Sequence, residues 1–337
     1  VPDCGRYRGD RPVTDVRLYR PGDEVAINNA FNRVFGKHRS VEEWAWKYRA
    51  NDPPCPIVAA WDGDRLAAHN GGIPTDYQVD GRRMVAMQGA DTFSLAVADR
   101  QPAWRDSWQR VMDQFGQISA DQFGASLLYG YTGGKAISHM VARAHWDSVS
   151  PRRIPLLVRH RRPPTRSMAS KLFQARLIDG HAPALDVLWK RAQDRYRVSV
   201  VRDAKHVRNR LSGHPAVCYH RWLITPRWSS TPAAFVAFRT DGGVCRWADL
   251  VWDGRPGALE LADHLSRRLT KQTNADREEM WLDGDPEAAR WLELFGFEGG
   301  PDPSGVVRVI RFIDPDLDAD SFAPGRVYTT MADADLV

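Results

Sequence analysis

The sequence predicts an α+β protein of two related α/β halves, each a mixed, mostly antiparallel sheet flanked by helices. Three observations predict it. The 337 residues are enough for two domains, each able to bury a core of its own. Apolar residues recur with a helix period in some stretches and a strand period in others. The same order of elements comes round twice, about 160 residues apart.

In the first half, Val16–Tyr19 reads as a strand. Gly22-Asp23-Glu24 opens a helix whose acidic residues sit in the first turn, where the helix dipole favours them, and Gly36 closes it. Val41, Trp44, Ala45 and Tyr48 mark a second, short helix. It stops before Asp52-Pro53-Pro54, because a proline disfavours helix in the residue ahead of it. Ile57–Trp61, the turn Asp62-Gly63-Asp64 and Arg65–Gly72 form a hairpin, and Tyr77–Val79 and Met84–Val97 extend the meander. Trp104, Trp108, Val111, Met112 and Phe115 then fall on one helix face. A strand at Ala125–Tyr131, a helix carrying Ile137, Met140, Val141 and Ala144, and a strand at Ser148-Val149 complete the half.

The second half repeats the order: a helix through Leu185, Leu188, Trp189 and Ala192, a strand Arg197–Val201, and a short helix His206–Leu211. Strands Ala216–Ile224, Ala233–Phe238 and Val244–Trp252 follow, then a helix through Leu261, Ala262, Leu265 and Leu269. Strand Glu279–Leu282, helix Ala288–Phe295 and strand Val306–Ile313 close it, and from Asp314 an acidic tail is expected to lie loose or docked. Ala90-Asp91-Thr92 in the first half and Ala248-Asp249-Leu250 in the second occupy matching strands. The expected boundaries are residues 1–157 for the first domain, 158–184 for a basic, proline-containing linker, 185–313 for the second domain and 314–337 for the tail.

Composition excludes several functions. Hydrophobic residues are 43% and charged residues 26% of the chain, an ordinary globular balance. No apolar run approaches the roughly 18 residues that span a membrane, and no signal segment opens the chain. A soluble cytoplasmic protein without a membrane partner is expected. Cys4, Cys55, Cys218 and Cys245 form no C-x-x-C pair, which argues against a metal site and for a reducing compartment. A net charge of +5 without a recognisable reading element gives no nucleic-acid partner. The run Arg159-His160-Arg161-Arg162 before Pro163-Pro164 reads as linker, its arginines a minority candidate for cofactor phosphates.

The element order, together with Trp44-x-Trp46-Lys47-Tyr48, Ala90-Asp91-Thr92 and the closing Gly296-Phe297, resembles tandem GNAT acyltransferases over nearly the whole chain. The opening Pro2–Asp10 and the run Tyr19–Glu24 look like the glycopeptide-antibiotic N-acyltransferases of the teicoplanin type. That resemblance implies acyl-CoA as co-substrate, with no metal. It also implies transfer of a long-chain fatty acyl group to the amine of an amino sugar on a glycopeptide precursor. The family turn Arg/Gln-x-x-Gly-x-Gly/Ala, whose backbone N–H groups face pyrophosphate at a helix N-terminus, lacks both glycines here. Its place is taken by Ala98–Arg105, where Arg100 and Gln101 are plausible starts, followed by Ala103 and Trp104. Asp253–Ala258, the matching turn of the second half, also lacks the motif.

Attack of an amine on a thioester needs a neutral, oriented amine, donors for the oxyanion and a proton for the leaving thiolate. By resemblance the pantetheine arm lies along Phe93, Ser94, Leu95, Ala96 and Val97. Asp91 is the first candidate base, since burial in an apolar strand should raise its pKa; the alternative is a buried carboxylate that caps a loop. His139, His145 and His181 are further candidates because histidine titrates near neutral pH, against the reading of satisfied helix or loop histidines. Tyr131, with Tyr129, could protonate the thiolate or be an ordinary strand aromatic. Two other functions compete: an acyl-CoA-binding protein without turnover, and a FemABX-like transferase that uses aminoacyl-tRNA, supported only by the basic linker.

Overall fold

The computed structural model describes residues 14–49, 54–96, 98–133, 148–149, 152–161, 168–179 and 182–334. The first half holds β1 (Asp15–Leu18), α1 (Asp23–Phe35), α2 (Val41–Arg49), β2 (Ile57–Asp62), β3 (Arg65–Val79), β4 (Arg82–Ser94), α3 (Ser107–Phe123) and β5 (Ala125–Thr132). Short strands β6 (Ser148–Val149) and β7 (Pro155–His160), a single helical turn α4 (Ala169–Leu172) and β8 (Phe173–Leu177) follow. The second half holds α5 (Ala184–Ala192), β9 (Val198–Val200), α6 (Ala204–Leu211), β10 (His220–Pro226), β11 (Ala234–Asp241) and β12 (Val244–Trp252). It ends with α7 (Pro256–Gln272), β13 (Arg277–Trp281), α8 (Pro286–Leu294), β14 (Glu298–Pro301) and β15 (Val307–Phe312). The fold is mixed α+β with two sheets, of eight and seven strands, flanked by helices.

The chain divides into two compact units, Val1–Ile73 with Gly89–Gly124, and Pro74–Gln88 with Ala125–Val337. In the first unit β1 pairs antiparallel with β2, and β2 with the opening part of β3. Its core gathers Ile27 and Trp44 of α1 and α2, Val58 of β2, and Val111 and Phe115 of α3, all buried. In the second unit β4 runs parallel to β5, from Val85↔Ala125 to Gln88↔Tyr129. The other sheet has the order β14-β7-β13-β12-β11-β10-β8 and a core that includes Leu188, Trp189, Phe235, Trp247, Leu259 and Ala262.

The structure departs from the expected elements in identifiable ways. Arg65–Gly72 and Tyr77–Val79 are one continuous strand, and α3 starts at Ser107 after a separate 3-10 turn at Pro102–Trp104. β7, β8 and β14 were not expected. β7 straddles the expected boundary at 157/158 and pairs with β13 and β14, while β15 of the second half pairs with β5 and β6. Each half thus lends a strand to the sheet of the other, and no cut at a single residue separates them. Arg159 is not a linker residue: it is 1% exposed, and its guanidinium holds Asp263 and Glu278, the latter at 2.7 Å. The basic run thereby loses one member to the core. The tail is docked, with Val327 through Ala334 buried.

One local arrangement, a parallel ladder with a long intervening helix, occurs in both halves. β4-α3-β5 and β12-α7-β13 each place a 17-residue helix between two parallel strands. The second ladder runs from Val244↔Arg277 to Trp247↔Met280 and then stops, as the first stops at Gln88↔Tyr129.

Candidate functional site

Asp91 follows the end of the first ladder. It is buried and held at φ 51°, a left-handed conformation that few non-glycine residues adopt. Its carboxylate accepts from Lys47 at 2.7 Å, from Arg39 at 2.5 Å and from the Tyr48 phenol at 2.7 Å. Burial alone would raise this carboxyl, as the sequence suggested, but Lys47 and Arg39 carry it well below the usual carboxylate range. Asp91 is therefore fully ionised and saturated with donors. The Tyr48 phenol reaches it only because position 71 is glycine, where a Cβ would stand 2.4 Å from the Tyr48 oxygen.

Asp249 repeats this arrangement in the second unit. Its carboxylate accepts from Arg202 at 2.9 Å and lies 3.3 Å from His206, residues just ahead of and within α6, as Arg39 and Lys47 are ahead of and within α2. Burial opposes its charge, yet Arg202 and His206 lower it to about 2. The match of Ala90-Asp91-Thr92 with Ala248-Asp249-Leu250 thus marks a duplicated buried ion cluster.

The residues expected along the cofactor lie in the first unit. Phe93 is buried, stacked on His69 with centroids 5.1 Å apart and edge-on to Phe35. Ser94 Oγ accepts from the Ala96 N–H, and Leu95 donates its N–H to Ala67 at 2.8 Å. Val97 lies outside the described residues, as do His139, His145 and His181. Arg100 takes a positive φ of 52°, and Gln101 donates its N–H back to Ala96. Ala103 belongs to the 3-10 turn. The Trp104 indole is buried, donates to Asp62 at 3.1 Å and lies under Arg65 at 4.8 Å, so only its main chain remains to meet a cofactor. The first turn of α3 holds no acidic residue, but Asp106 is its N-cap, and the turn ahead of it carries Asp99 as well as Arg100 and Arg105.

Tyr131 belongs to the second unit, near Tyr129 and Trp281. Burial pushes its phenol well above the usual value, so it holds its proton more firmly than a free tyrosine does.

The corresponding stretch of the second unit has a different fate. Past Trp247↔Met280, the tail segment Val327–Asp333 takes up the hydrogen bonds of the diverging strands. Tyr328 donates its hydroxyl to Leu250 O at 2.7 Å, and Thr329 exchanges two main-chain bonds with Asp283 at 3.1 Å. The Thr330 hydroxyl meets Asp249 at 2.9 Å, and Asp333 lies 2.5 Å from Arg202. Gly284, at φ 76°, allows the close pass: a Cβ there would lie 2.5 Å from the Tyr328 nitrogen. The turn before α7 carries Asp253, whose carboxylate is bound by Arg255 at 2.5 Å and Arg191 at 3.3 Å. The tail thus fills the gap that a cofactor arm would need there.

Sequence reasoning missed Arg39, Lys47, Tyr48 and His69. The signal was present in His69-Asn70, two polar residues inside an apolar strand, both 0% exposed in the structure. His69 Nδ1 lies 2.8 Å from the Asp91 carbonyl, which fixes the proton on Nδ1, and Nε2 has no hydrogen-bond partner. Burial above all lowers the imidazole from 6.5 to about 4. An unfolded chain therefore binds this proton first as pH falls. Stability should be flat above pH 6.5 and decline between 6.5 and 4, by about 3 kcal/mol at most. Urea midpoints measured across that window should show the slope in the native chain and lose it in His69→Gln; an equal slope in both would remove this assignment.

Among the described residues no group of three His, Cys, Asp or Glu could hold a metal ion, and no helix is long and apolar enough to cross a membrane. No protein-family model matches the chain, and no curated protein matches it. Solved structures do. A GCN5-related N-acetyltransferase from Kribbella flavida superposes with a TM-score of 0.62 at 13% identity, covering 90% of this chain and 72% of that one. One from Anabaena variabilis gives 0.60 at 8% identity, covering 89% and 72%. The N-myristoyltransferase of Saccharomyces cerevisiae, solved with bound myristoyl-CoA and inhibitors, gives 0.59 at 12% identity, covering 94% and 85%. The chain thus shares its mixed α+β fold with these GNAT-fold structures.

Proposed function

We propose that the chain is an acyl-CoA-dependent N-acyltransferase that moves a long-chain fatty acyl group to the amine of an amino sugar on a glycopeptide-antibiotic precursor. The observation that carries this reading is the unequal fate of the two ladder ends. The second is filled by the tail, whereas β4 leaves its ladder with β5 at Gln88 and runs on through residues 89–94 to the turn ahead of α3. The long chain is supported by the myristoyl-CoA bound to a structural neighbour, and the acceptor by the resemblance of Pro2–Asp10 and Tyr19–Glu24.

In this reading the main chain of Phe93–Val97 lies along the pantetheine, and Arg100, Gln101, Ala103 and Trp104 approach the pyrophosphate. The neutral amine attacks the thioester carbon, the C–S bond breaks, and the amine proton passes to a base among His139, His145 and His181. The thiolate leaves as CoA after taking a proton. Asp91 has a positioning role: its ion cluster fixes the left-handed kink from which the acyl-binding residues continue.

Decanoyl-CoA and a teicoplanin-type pseudoaglycone should give an acceptor heavier by one decanoyl group. Native mass spectrometry should find one acyl-CoA per chain. Two bound acyl-CoA molecules would contradict the filled second site, and binding without product would favour the non-catalytic reading that the missing glycines suggest.

A further inference from the structure

The seven-stranded sheet ends on β14, which pairs with β7 alone among the described strands, so its outer main-chain edge has no strand partner among the described residues. Beside it, against α8, lies a groove of about 570 Å³ lined by Leu157, Pro286, Ala289, Gly299 and Gly300 among others. That volume is in the range of small-ligand sites, roughly 300–1,000 Å³.

The two glycines are exposed and are not needed by the fold. Neither has a positive φ. A Cβ on Gly300 would meet nothing within 4 Å, and one on Gly299 only a methyl of Leu157 at 3.4 Å. Glycine weakens a strand, and where nothing inside the protein requires it, it marks close approach by another backbone. Charge gives the groove a direction. Arg152 and Arg153 line the end near the α8 N-terminus, where Asp283 lies 3.5 Å from Arg152 and Asp285 is engaged by Arg195, Trp252 and the Ala288 N–H. Glu293 lies two helical turns along α8, about 10 Å away at 1.5 Å per residue. An extended chain covers that span in three to four residues.

We propose that this groove binds an extended peptide of three or four residues by main-chain pairing with β14, its ammonium end at Glu293 and its carboxylate end at Arg153. The proposal does not rest on the acyl-transfer reading, and the test contains no acyl-CoA. The full chain would be titrated with Ala-Val-Thr-Val, with the same peptide blocked at both ends, and with its analogue N-methylated at alternate amides. The free peptide should bind. N-methylation and Gly300→Val should each weaken binding at least tenfold, the latter with an unchanged thermal midpoint, and Glu293→Gln should weaken the free but not the blocked peptide. Absence of binding, or binding that survives N-methylation or Gly300→Val, would overturn the proposal.

Discussion

Replacing Arg202 by Gln is expected to lower the free energy of unfolding by on the order of 5 kcal/mol, the upper end of what removing one partner of a buried ion pair costs. The guanidinium is wholly buried and serves two carboxylates, Asp249 at 2.9 Å and Asp333 at 2.5 Å, besides the Val200 carbonyl and the face of Tyr328. Burial raises Asp333 despite Arg202, and Asp249 stays low only because Arg202 and His206 are present. Without Arg202, one carboxyl must take a proton or two buried anions must repel. Because Asp333 lies on the tail segment, the loss should also loosen residues 327–334. Urea unfolding measures the first effect and limited proteolysis near the tail the second. A change below about 1 kcal/mol with an unaltered digest would mean that the cluster contributes little.

Asp91→Asn should be nearly as costly, about 3–5 kcal/mol. The amide keeps the shape but removes the charge that Arg39 and Lys47, whose side chains are 10% and 9% exposed, face at this position. The same substitution separates the two roles weighed for this residue. A positioning carboxylate predicts activity that follows the folded fraction, with turnover per folded molecule within severalfold of native. A general base predicts a folded protein slowed by roughly 10²–10⁴. Unfolding midpoints and turnover, measured on the same preparation, distinguish them.

Much of the fold was legible because it depends on local pattern. The helix through Val111, Met112 and Phe115 and the hairpin after Ile57 are set by periodicity and a turn, which act over a few residues. β7 and β14 were not legible. Pro155–His160 is short, carries Arg159 and precedes a proline-rich stretch, and it is a strand only because β13 offers it an edge. The site was legible in part. Asp91 stood out as a carboxylate in an apolar strand, but its protonation could not be read, since the sign of the shift is set by Arg39 and Lys47, 52 and 44 residues away.

By itself the sequence determined most of the element order and the mixed α+β class, because these follow from apolar spacing and turn residues written along the chain. Tertiary structure alone decided that the tail docks at the end of the second ladder, which strands the halves exchange, and whether a buried acid is neutral or charged. Those outcomes depend on side chains brought together from distant positions: Tyr328 against Leu250, Arg202 between Asp249 and Asp333, Lys47 on Asp91. Coulombic attraction and hydrogen bonding act across the few ångströms the fold creates, and that distance is not written in the order of residues.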